Sequence, residues 1–153
     1  MGNRAPERMN TGKIGELLVQ LSLLTFGIES TPPLIDSGTD LIAIKSSSNL
    51  ESIVCKTIQV KTESNSQRNS WTTPERGKLY HILALVRLGA NQNKFDDAKI
   101  YLIPKGDLGE CYNTYIPPSI RDNLESSYQI SEELIARLFA PMLIDLPVSS
   151  TQT

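Results

Sequence analysis

The sequence predicts an α/β (α+β) fold, a mixed and mostly antiparallel sheet flanked by helices. Three observations carry this prediction: helical periodicity near the N-terminus, five strand-length segments in the middle, and an amphipathic segment near the C-terminus. The predicted order is helix, short strand, hairpin, long polar loop, two strands and helix, an order typical of a sheet with helices packed on it. A chain of 153 residues forms one core, so residues 1–153 are expected to be a single domain.

The first predicted helix covers residues 10–26 and is followed by a short strand. Its apolar residues recur at the i, i+3, i+4 and i+7 spacing of one buried face. The predicted buried face consists of Ile14, Leu17, Leu18, Leu21 and Leu24. The strand lies in "IESTPPL", where Pro32 and Pro33 end it because proline cannot donate to a ladder.

A hairpin follows, with strands at 40–45 and 53–62. Side chains alternate between the two faces of a strand, so Gln59 and Lys61 share one face of the second strand and Ile58 the other. A turn centred near residues 50 and 51 pairs Asp40 with Lys61. The prediction is that Asp40, Gln59 and Lys61 meet at one end of the hairpin.

The remainder of the chain is predicted as a polar loop, two strands and a helix. The loop covers 64–78, the strands "LYHILALVRL" and "AKIYLIP", and the helix residues 131–142 with Ser131 as its N-terminal signal. The apolar side chains of that helix either cover the core or form an interface between subunits. They are Leu134, Ile135, Leu138 and Phe139.

Composition excludes several classes of function. No apolar run is long enough to span a bilayer and no secretory signal is present, so we expect a cytoplasmic protein without a membrane partner. Cys55 and Cys111 lack metal-binding spacing and are expected to be reduced structural thiols. The single histidine, His81, is expected to be a packed or edge residue, which excludes histidine triads and two-histidine metal sites. Without a P-loop or a G-x-G-x-x-G motif, no nucleotide cofactor is expected.

Charge is distributed unevenly along the chain although its net value is only −2. Residues 1–55 carry four Lys/Arg and six Asp/Glu, residues 56–105 nine and four, and residues 106–153 two and seven. The net charge of the three parts is therefore −2, +5 and −5. A basic middle between acidic ends is compatible with a surface that binds a polyanion, and equally with ordinary variation of solvated charge.

The polar residues of the hairpin have the chemistry of a phosphodiester-cleaving site. Such a site holds a divalent cation with hard oxygen ligands, which Asp40 and Gln59 supply, while a lysine such as Lys61 orients the attacking water. Glu16 on the first helix is a further carboxylate that could join them, and Asp36 competes with Asp40 for the ligand role.

Each of these residues also has a plainer interpretation. Asp40 alone can be a turn cap after Gly38, and Gln59 with Lys61 can be the solvated face of a strand. Glu16 is also favoured near a helix start by the helix dipole. Glu63 continues the face of Gln59 and is expected either to support the site from behind or to form a surface ion pair.

This ordered set resembles the PD-(D/E)XK nuclease superfamily. The residues that carry the resemblance are Glu16, Asp40 in "TDLIAIK", and Gln59 and Lys61 in "IQVK". The chain is most similar to the restriction-fold homing endonucleases carried by cyanobacterial group I introns. Thr39 stands where the motif has proline, and Gln59 replaces the usual acid, which removes one negative charge from the metal site.

The resemblance implies a restriction-endonuclease-like core and a Mg²⁺-dependent, site-specific double-strand DNA endonuclease. It also implies a long target and a homotetramer. Asp40, Gln59 and the carbonyl of Val60 would then hold Mg²⁺ with support from Glu16. A Holliday-junction resolvase or a restriction-type nuclease on the same fold are the enzymatic alternatives. A non-catalytic DNA-binding module is a further alternative, motivated by Gln59.

DNA contacts are predicted in the polar loop 64–78. Arginine and lysine can bind phosphates or guanine edges, and asparagine and glutamine can bind adenine edges. The predicted contact residues are Asn65, Gln67, Arg68, Asn69, Trp71, Arg76 and Lys78. The alternative is a mobile surface loop in which Trp71 only anchors the chain to the core.

Overall fold

The structure, a computed structural model, describes residues 4–35, 38–48, 52–64, 71–89 and 95–141. Four α-helices are present in this part: α1 Arg4–Thr25, α2 Lys105–Leu108, α3 Pro118–Arg121 and α4 Glu132–Leu138. The strands are β1 Glu29–Thr31, β2 Leu41–Ser46, β3 Ile53–Ser64, β4 Ile82–Leu88 and β5 Lys99–Pro104. A 3₁₀ turn at Phe95–Asp97 and a π-helical turn at Leu124–Tyr128 complete the elements.

The five strands form one sheet in the order β1-β2-β3-β4-β5. Three neighbouring pairs are antiparallel, and β3 and β4 are parallel, with Ile58 opposite Ile82. The prediction of a mixed, mostly antiparallel sheet flanked by helices is therefore confirmed. Because β3 and β4 run the same way, the chain between residues 64 and 82 must return along the length of the sheet. Its described part does so on the face that carries the candidate site.

Helices α1 and α4 cover the first face of the sheet. Their apolar side chains pack against β3, β4 and β5 in one cluster. Leu134, Ile135 and Phe139 of α4 are buried in it, so these side chains serve the core and not an interface. The sequence had left those two interpretations open.

The buried face of helix α1 overlaps only in part with the predicted one. Ile14 and Leu18 pack against the core as predicted. Val19 and Leu23 are fully buried, whereas Leu17, Leu21 and Leu24 are 54–61% exposed. Gly15 explains the choice of face, because a Cβ built on it would lie 1.8 Å from Thr62 Oγ1 on β3. The helix approaches the strand through its glycine, and the three leucines point away.

The second face of the sheet is covered by the segment 71–80, by α2 and α3, and by the π-helical turn. This side has its own apolar cluster, separate from the α1 cluster. Its buried members are Trp71, Tyr80, Leu83, Leu85, Tyr101, Ile103, Leu108, Ile116, Ile120 and Leu124. The segment 71–80 thus forms a wall next to the part of β3 that holds Gln59 and Lys61.

Two global features accompany this fold. Among the described helices, none has the length and apolarity needed to cross a bilayer. Cys55 is exposed and Cys111 is half-buried, and both are free thiols.

Candidate active site

Asp40, Gln59 and Lys61 lie on the same face of the sheet at the beginning of β2. Leu41 pairs with Ile58, so Asp40 lies opposite Gln59 and not opposite Lys61. The predicted register was two residues off, because Ser46 pairs with Ile53, which centres the connection one residue earlier than was predicted. A shift of two preserves the face on which a side chain lies, so the predicted grouping survives the error.

The Asp40 carboxylate is fixed against β3 by two hydrogen bonds. Its Oδ2 accepts from the Gln59 amide Nε2 at 2.5 Å and from the Val60 backbone N–H at 2.6 Å. The Asp40 backbone N–H donates to the Ile58 carbonyl at 3.0 Å. The carboxylate therefore takes the place of a strand partner just before β2 begins. This contact also agrees with the plainer interpretation of Asp40 as a cap.

The Gln59 amide oxygen has no hydrogen-bond partner. Oε1 is buried and accepts from no donor in the described part of the chain. Turning the amide over would place this oxygen against the Asp40 carboxylate, so the observed orientation follows from the contact with Asp40. Leaving a buried carbonyl oxygen without a donor costs about 1–3 kcal/mol. Such an orphaned oxygen is what a cation or a substrate donor would satisfy.

The backbone of Val60 adds a third oxygen at the same place. In a strand the N–H and C=O of one residue point to the same side. Because the Val60 N–H points to Asp40, the Val60 carbonyl also points to the side of β3 on which Asp40 lies, just before the start of β2. One carboxylate, one amide oxygen and one carbonyl are hard ligands of the type that Mg²⁺ binds, usually together with water and substrate phosphates.

Asp40, Gln59 and Lys61 form one wall of a polar cleft with a volume of about 490 Å³, which we name the Asp40 cleft. The opposite wall is the segment that follows the predicted DNA loop. The lining residues are Gly38, Asp40, Gln59, Lys61, Thr72, Thr73, Pro74, Glu75, Lys78 and Asn113. No residue of the lining has a large apolar side chain, so the cleft is suited to a charged or strongly polar ligand.

Glu75 is a lining residue that the sequence analysis missed. It supplies a second carboxylate on the wall opposite Asp40. The only signal in the sequence was an acid within the basic stretch "TTPERGK". Nevertheless, the described residues contain no cluster of three or more His, Cys, Asp or Glu side chains that could hold a metal. A cation here would depend on neutral oxygens in addition to Asp40.

Glu16 does not line the Asp40 cleft. Its carboxylate forms an ion pair with Lys13 at 2.9 Å on α1. The neighbouring Gly15 contacts Thr62, which lies on the sheet face opposite to Lys61. The structure therefore does not bring Glu16 together with Asp40, and its support of a metal stays a prediction.

The predicted DNA loop is described only in its second half. Asn65, Gln67, Arg68 and Asn69 lie outside the described residues, as does Asp36. Lys78 lines the Asp40 cleft next to Gly38, whose φ of +79° and close contact with the Lys78 side chain leave no room for a Cβ. Arg76 is exposed, with its guanidinium 5.1 Å from the centre of the Tyr112 ring.

Trp71 is a core residue, which corrects its prediction as a DNA contact. Its side chain is only 4% exposed and packs edge-on against Tyr101 with 6.1 Å between ring centroids. The Arg87 guanidinium lies 4.6 Å from the ring centre. Buried between these groups, Trp71 anchors the segment 71–80, which was the alternative interpretation.

Glu63 is buried, and not part of a surface ion pair. It is 7% exposed, and its Oε2 lies 3.8 Å from Arg87 Nε. This pair lies further along the same face of the sheet as Lys61. Glu63 therefore lies beside Arg87, the residue that packs on Trp71, and does not line the Asp40 cleft.

Comparisons with known proteins gave one match. No family model and no curated protein matches the chain. Among solved structures, a bacterial homing endonuclease, I-Ssp6803I, is similar with 14% identity and a TM-score of 0.41, covering 95% of this chain and 83% of that chain. A similarity at this level carries no weight for activity, and the site has to be judged on the residues of this chain.

Proposed function

We propose that the protein is a metal-dependent DNA endonuclease whose active site is the Asp40 cleft. The observation that carries the proposal is the convergence of Asp40, Gln59 and Lys61 in one polar cleft. The buried Gln59 oxygen there has no partner among the described residues. The site-specific double-strand cleavage, the PD-(D/E)XK core and the homotetramer implied by the resemblance are part of this proposal.

The residues that would hold Mg²⁺ are Asp40, Gln59 and Val60. When bound, the cation supplies Lewis-acid polarisation of the phosphate and a more acidic water. A single carboxylate with two neutral oxygens binds Mg²⁺ weakly in the absence of substrate, because substrate phosphates often complete the coordination shell of Mg²⁺. We therefore expect metal binding to be strengthened by DNA.

Lys61 would act on the water and on the developing charge. In its charged form the side chain has three N–H donors and no acceptor, so it orients the water by donating to its oxygen and does not take its proton. It also donates to the phosphate oxygens as negative charge grows in the transition state. Lys78, which lines the opposite wall, would hold the scissile strand through its phosphates.

A non-catalytic DNA-binding module is the second candidate. It is favoured by two observations: Gln59 donates to Asp40 where an acid would be expected, and the described residues hold no cluster of three metal-binding side chains. The cleft, with Lys61 and Lys78, would then bind DNA without cutting it.

Incubation with DNA and Mg²⁺ separates these candidates. The substrates are a panel of linear duplex, plasmid and four-way junction, each with Mg²⁺ or with EDTA. Metal-dependent cutting at a single duplex site is expected. Cutting that follows DNA structure indicates a junction resolvase, and tight binding without cutting on all substrates indicates the module.

The Asp40→Ala variant tests the assignment of the cleft. We expect it to lose Mg²⁺-dependent cutting at every metal concentration, because the only carboxylate of the proposed ligand set is removed. Asp97→Ala is the matched control, since Asp97 is an exposed acid in the 3₁₀ turn. Full activity of the Asp40 variant would show that the cutting centre lies elsewhere.

A further inference from the structure

A second cleft, with basic side chains, opens at the start of β4, and we name it the His81 cleft. Its volume is about 320 Å³, and it lies where the ends of β3, β4 and β5 meet the last turn of α4. Its lining residues are Lys56, His81, Ile82, Pro104, Asp107, Arg137 and Leu138. Neither the PD-(D/E)XK resemblance nor the predicted DNA loop involves this cleft.

His81 is fixed in the cleft by three contacts with Thr57. Its backbone N–H donates to the Thr57 carbonyl at 2.9 Å, and its ring Nδ1 accepts from the Thr57 N–H at 3.1 Å. The Thr57 hydroxyl lies 2.8 Å from the same Nδ1. The imidazole thus takes the place of a strand residue at the start of β4, which holds it in a defined position.

These contacts determine which ring nitrogen carries the hydrogen. A backbone N–H can only donate, so Nδ1 must present its lone pair to Thr57. The neutral ring then has its hydrogen on Nε2, the atom on the side away from Thr57. Nε2–H is a hydrogen-bond donor for a ligand that binds beside the ring.

Positive charge is concentrated around this donor. Lys56 and Arg137 line the cleft, and burial, followed by the charges of Lys56 and Lys105, lowers the pKa of His81. Within the described part of the chain, no ion pair is formed by Lys56, Lys105 or Arg137. The one acid of the lining, Asp107, accepts a hydrogen bond from the Tyr128 hydroxyl at 3.0 Å.

We infer that the His81 cleft binds a phosphate group through Lys56, Arg137 and the Nε2–H of His81, and that this is a backbone phosphate of bound DNA. The DNA clause rests on the proposed function. Lys78 of the Asp40 cleft and His81 are three residues apart, at most about 10 Å of chain. This corresponds to about three nucleotides at 3.4 Å each along one strand. The two clefts are therefore neighbours along the chain, and DNA bound at the Asp40 cleft is the nearest source of such a phosphate.

The phosphate chemistry is tested by NMR on the imidazole of His81. The chain has a single histidine, so its ring signals need no further assignment. Titration with inorganic phosphate should shift the ring signals in a saturable way, and chloride at equal ionic strength should not. The shift should be lost in Lys56→Ala and Arg137→Ala but kept in Lys45→Ala, a lysine on β2 outside the lining. No saturable shift in the wild type would overturn the proposal.

The DNA source is tested by the salt dependence of DNA affinity. Removing one phosphate contact lowers the slope of log K against log salt by about 0.9, which corresponds to about eightfold weaker binding at 0.1 M salt. We expect this for Lys56→Ala and for Arg137→Ala, and no change for Lys99→Ala, whose lysine is paired with Glu125. Unchanged slopes with a retained phosphate shift would overturn DNA as the source and leave a site for free phosphate.

These outcomes are separable from the fate of the proposed function. Both measurements are made in EDTA and need no cleavage. If the wild type binds DNA without cutting it, the His81 cleft can still be confirmed while the nuclease is refuted. If the wild type cuts DNA and the slopes do not change, the nuclease stands and the second phosphate contact is refuted.

Discussion

Replacing Gln59 by glutamate tests whether the contact between Gln59 and Asp40 is suited to a cation. The Gln59 amide Nε2 now donates to Asp40 Oδ2 at 2.5 Å. In Gln59→Glu a carboxylate oxygen takes the place of this donor, so two negative groups face each other without a proton between them. The variant also places an acid where the proposed resemblance to the PD-(D/E)XK motif would have one.

The expected loss of stability follows from two contributions. The lost hydrogen bond to a charged acceptor is worth about 1.5–3 kcal/mol. Two unit charges relaxed to 4 Å repel by about 4 kcal/mol at an effective dielectric constant of 20. Rotation of the new side chain into the cleft relieves part of this repulsion. We therefore expect the free energy of unfolding to fall by about 2–4 kcal/mol at pH 8 without metal.

The pH dependence of this loss has a defined sign. A neighbouring like charge raises the pKa of one carboxyl of the pair in the folded state above its unfolded value of about 4. The proton held by the folded pair then stabilises it at low pH, and this stability is lost as pH rises through the raised pKa. The free energy of unfolding of the variant should therefore be close to that of the wild type near pH 4 and below it toward pH 8.

Magnesium should reverse the effect. A cation between two carboxylates removes the repulsion, and a ligand that binds only the folded state stabilises it in proportion to the logarithm of its concentration over Kd. Urea unfolding at pH 4 and pH 8, with and without Mg²⁺, measures each contribution. We expect Mg²⁺ to raise the stability of Gln59→Glu at pH 8 more than that of the wild type.

The control is Gln59→Met, which removes the amide without adding a charge. The free energy of unfolding should fall less in Gln59→Met than in Gln59→Glu, and this fall should depend less on pH and on Mg²⁺. If Gln59→Glu without Mg²⁺ is as stable as the wild type at pH 8, the proposed proximity to the Asp40 carboxylate is refuted. If Mg²⁺ has no effect on it, the cleft is not a cation site.

Two further predictions concern the scaffold around the site. Gly15→Ala should lower the free energy of unfolding by about 1–3 kcal/mol, because its Cβ would lie 1.8 Å from Thr62 Oγ1. Adding Thr62→Ala should restore part of that loss, and strictly additive effects in urea unfolding would contradict the contact. Tyr101→Phe removes a 2.6 Å hydrogen bond to Glu125, whose pKa is lowered first by the Lys99 hydrogen bond and then by that of Tyr101. A carboxyl with a lowered pKa stabilises the fold at pH values above its unfolded pKa of about 4.3, and this stability is lost as pH falls through the folded pKa. The variant should therefore lose less stability than the wild type between about pH 5 and pH 2. An equal loss in the two proteins would contradict the hydrogen bond.

The sequence predicted the elements of the fold well because each has its own apolar period. The hairpin, both later strands and the last helix lie within a few residues of where the pattern places them, whereas the first helix begins at Arg4 and not at residue 10. It predicted the buried side of α1 only in part, since apolar residues occupy two overlapping stripes of that helix. The choice depends on the close approach of Gly15 to Thr62, which is a property of the assembled sheet.

The grouping of Asp40, Gln59 and Lys61 was predictable because it depends only on the alternation of a strand. A two-residue error in register left all three on one face. The wall opposite them was not predictable in the same way. Glu75 and Lys78 reach the cleft because β3 and β4 are parallel, which sends the connecting chain back across that face.

Trp71 shows how local composition can mislead. Its neighbours in the sequence are polar, which favoured an exposed position with a partner. It contacts Arg87 and Tyr101, which lie on the later strands β4 and β5, and the residues around Trp71 in the sequence do not predict these contacts. The tryptophan anchors the wall of the cleft instead of contacting the ligand.

The measurement that tests the central proposal most directly compares cleavage and binding in Lys61→Ala. Cleavage is measured in a single turnover with Mg²⁺ on a duplex that the wild type cuts, and binding is measured on the same duplex in EDTA. Lys99→Ala serves as the control, because Lys99 lies on β5 and pairs with Glu125. Loss of a residue that orients the water should slow cleavage by about 10²–10⁴-fold and leave the Kd within about threefold. An unchanged cleavage rate, or a parallel loss of cleavage and binding, would contradict the assignment of Lys61 and with it the Asp40 cleft as the active site.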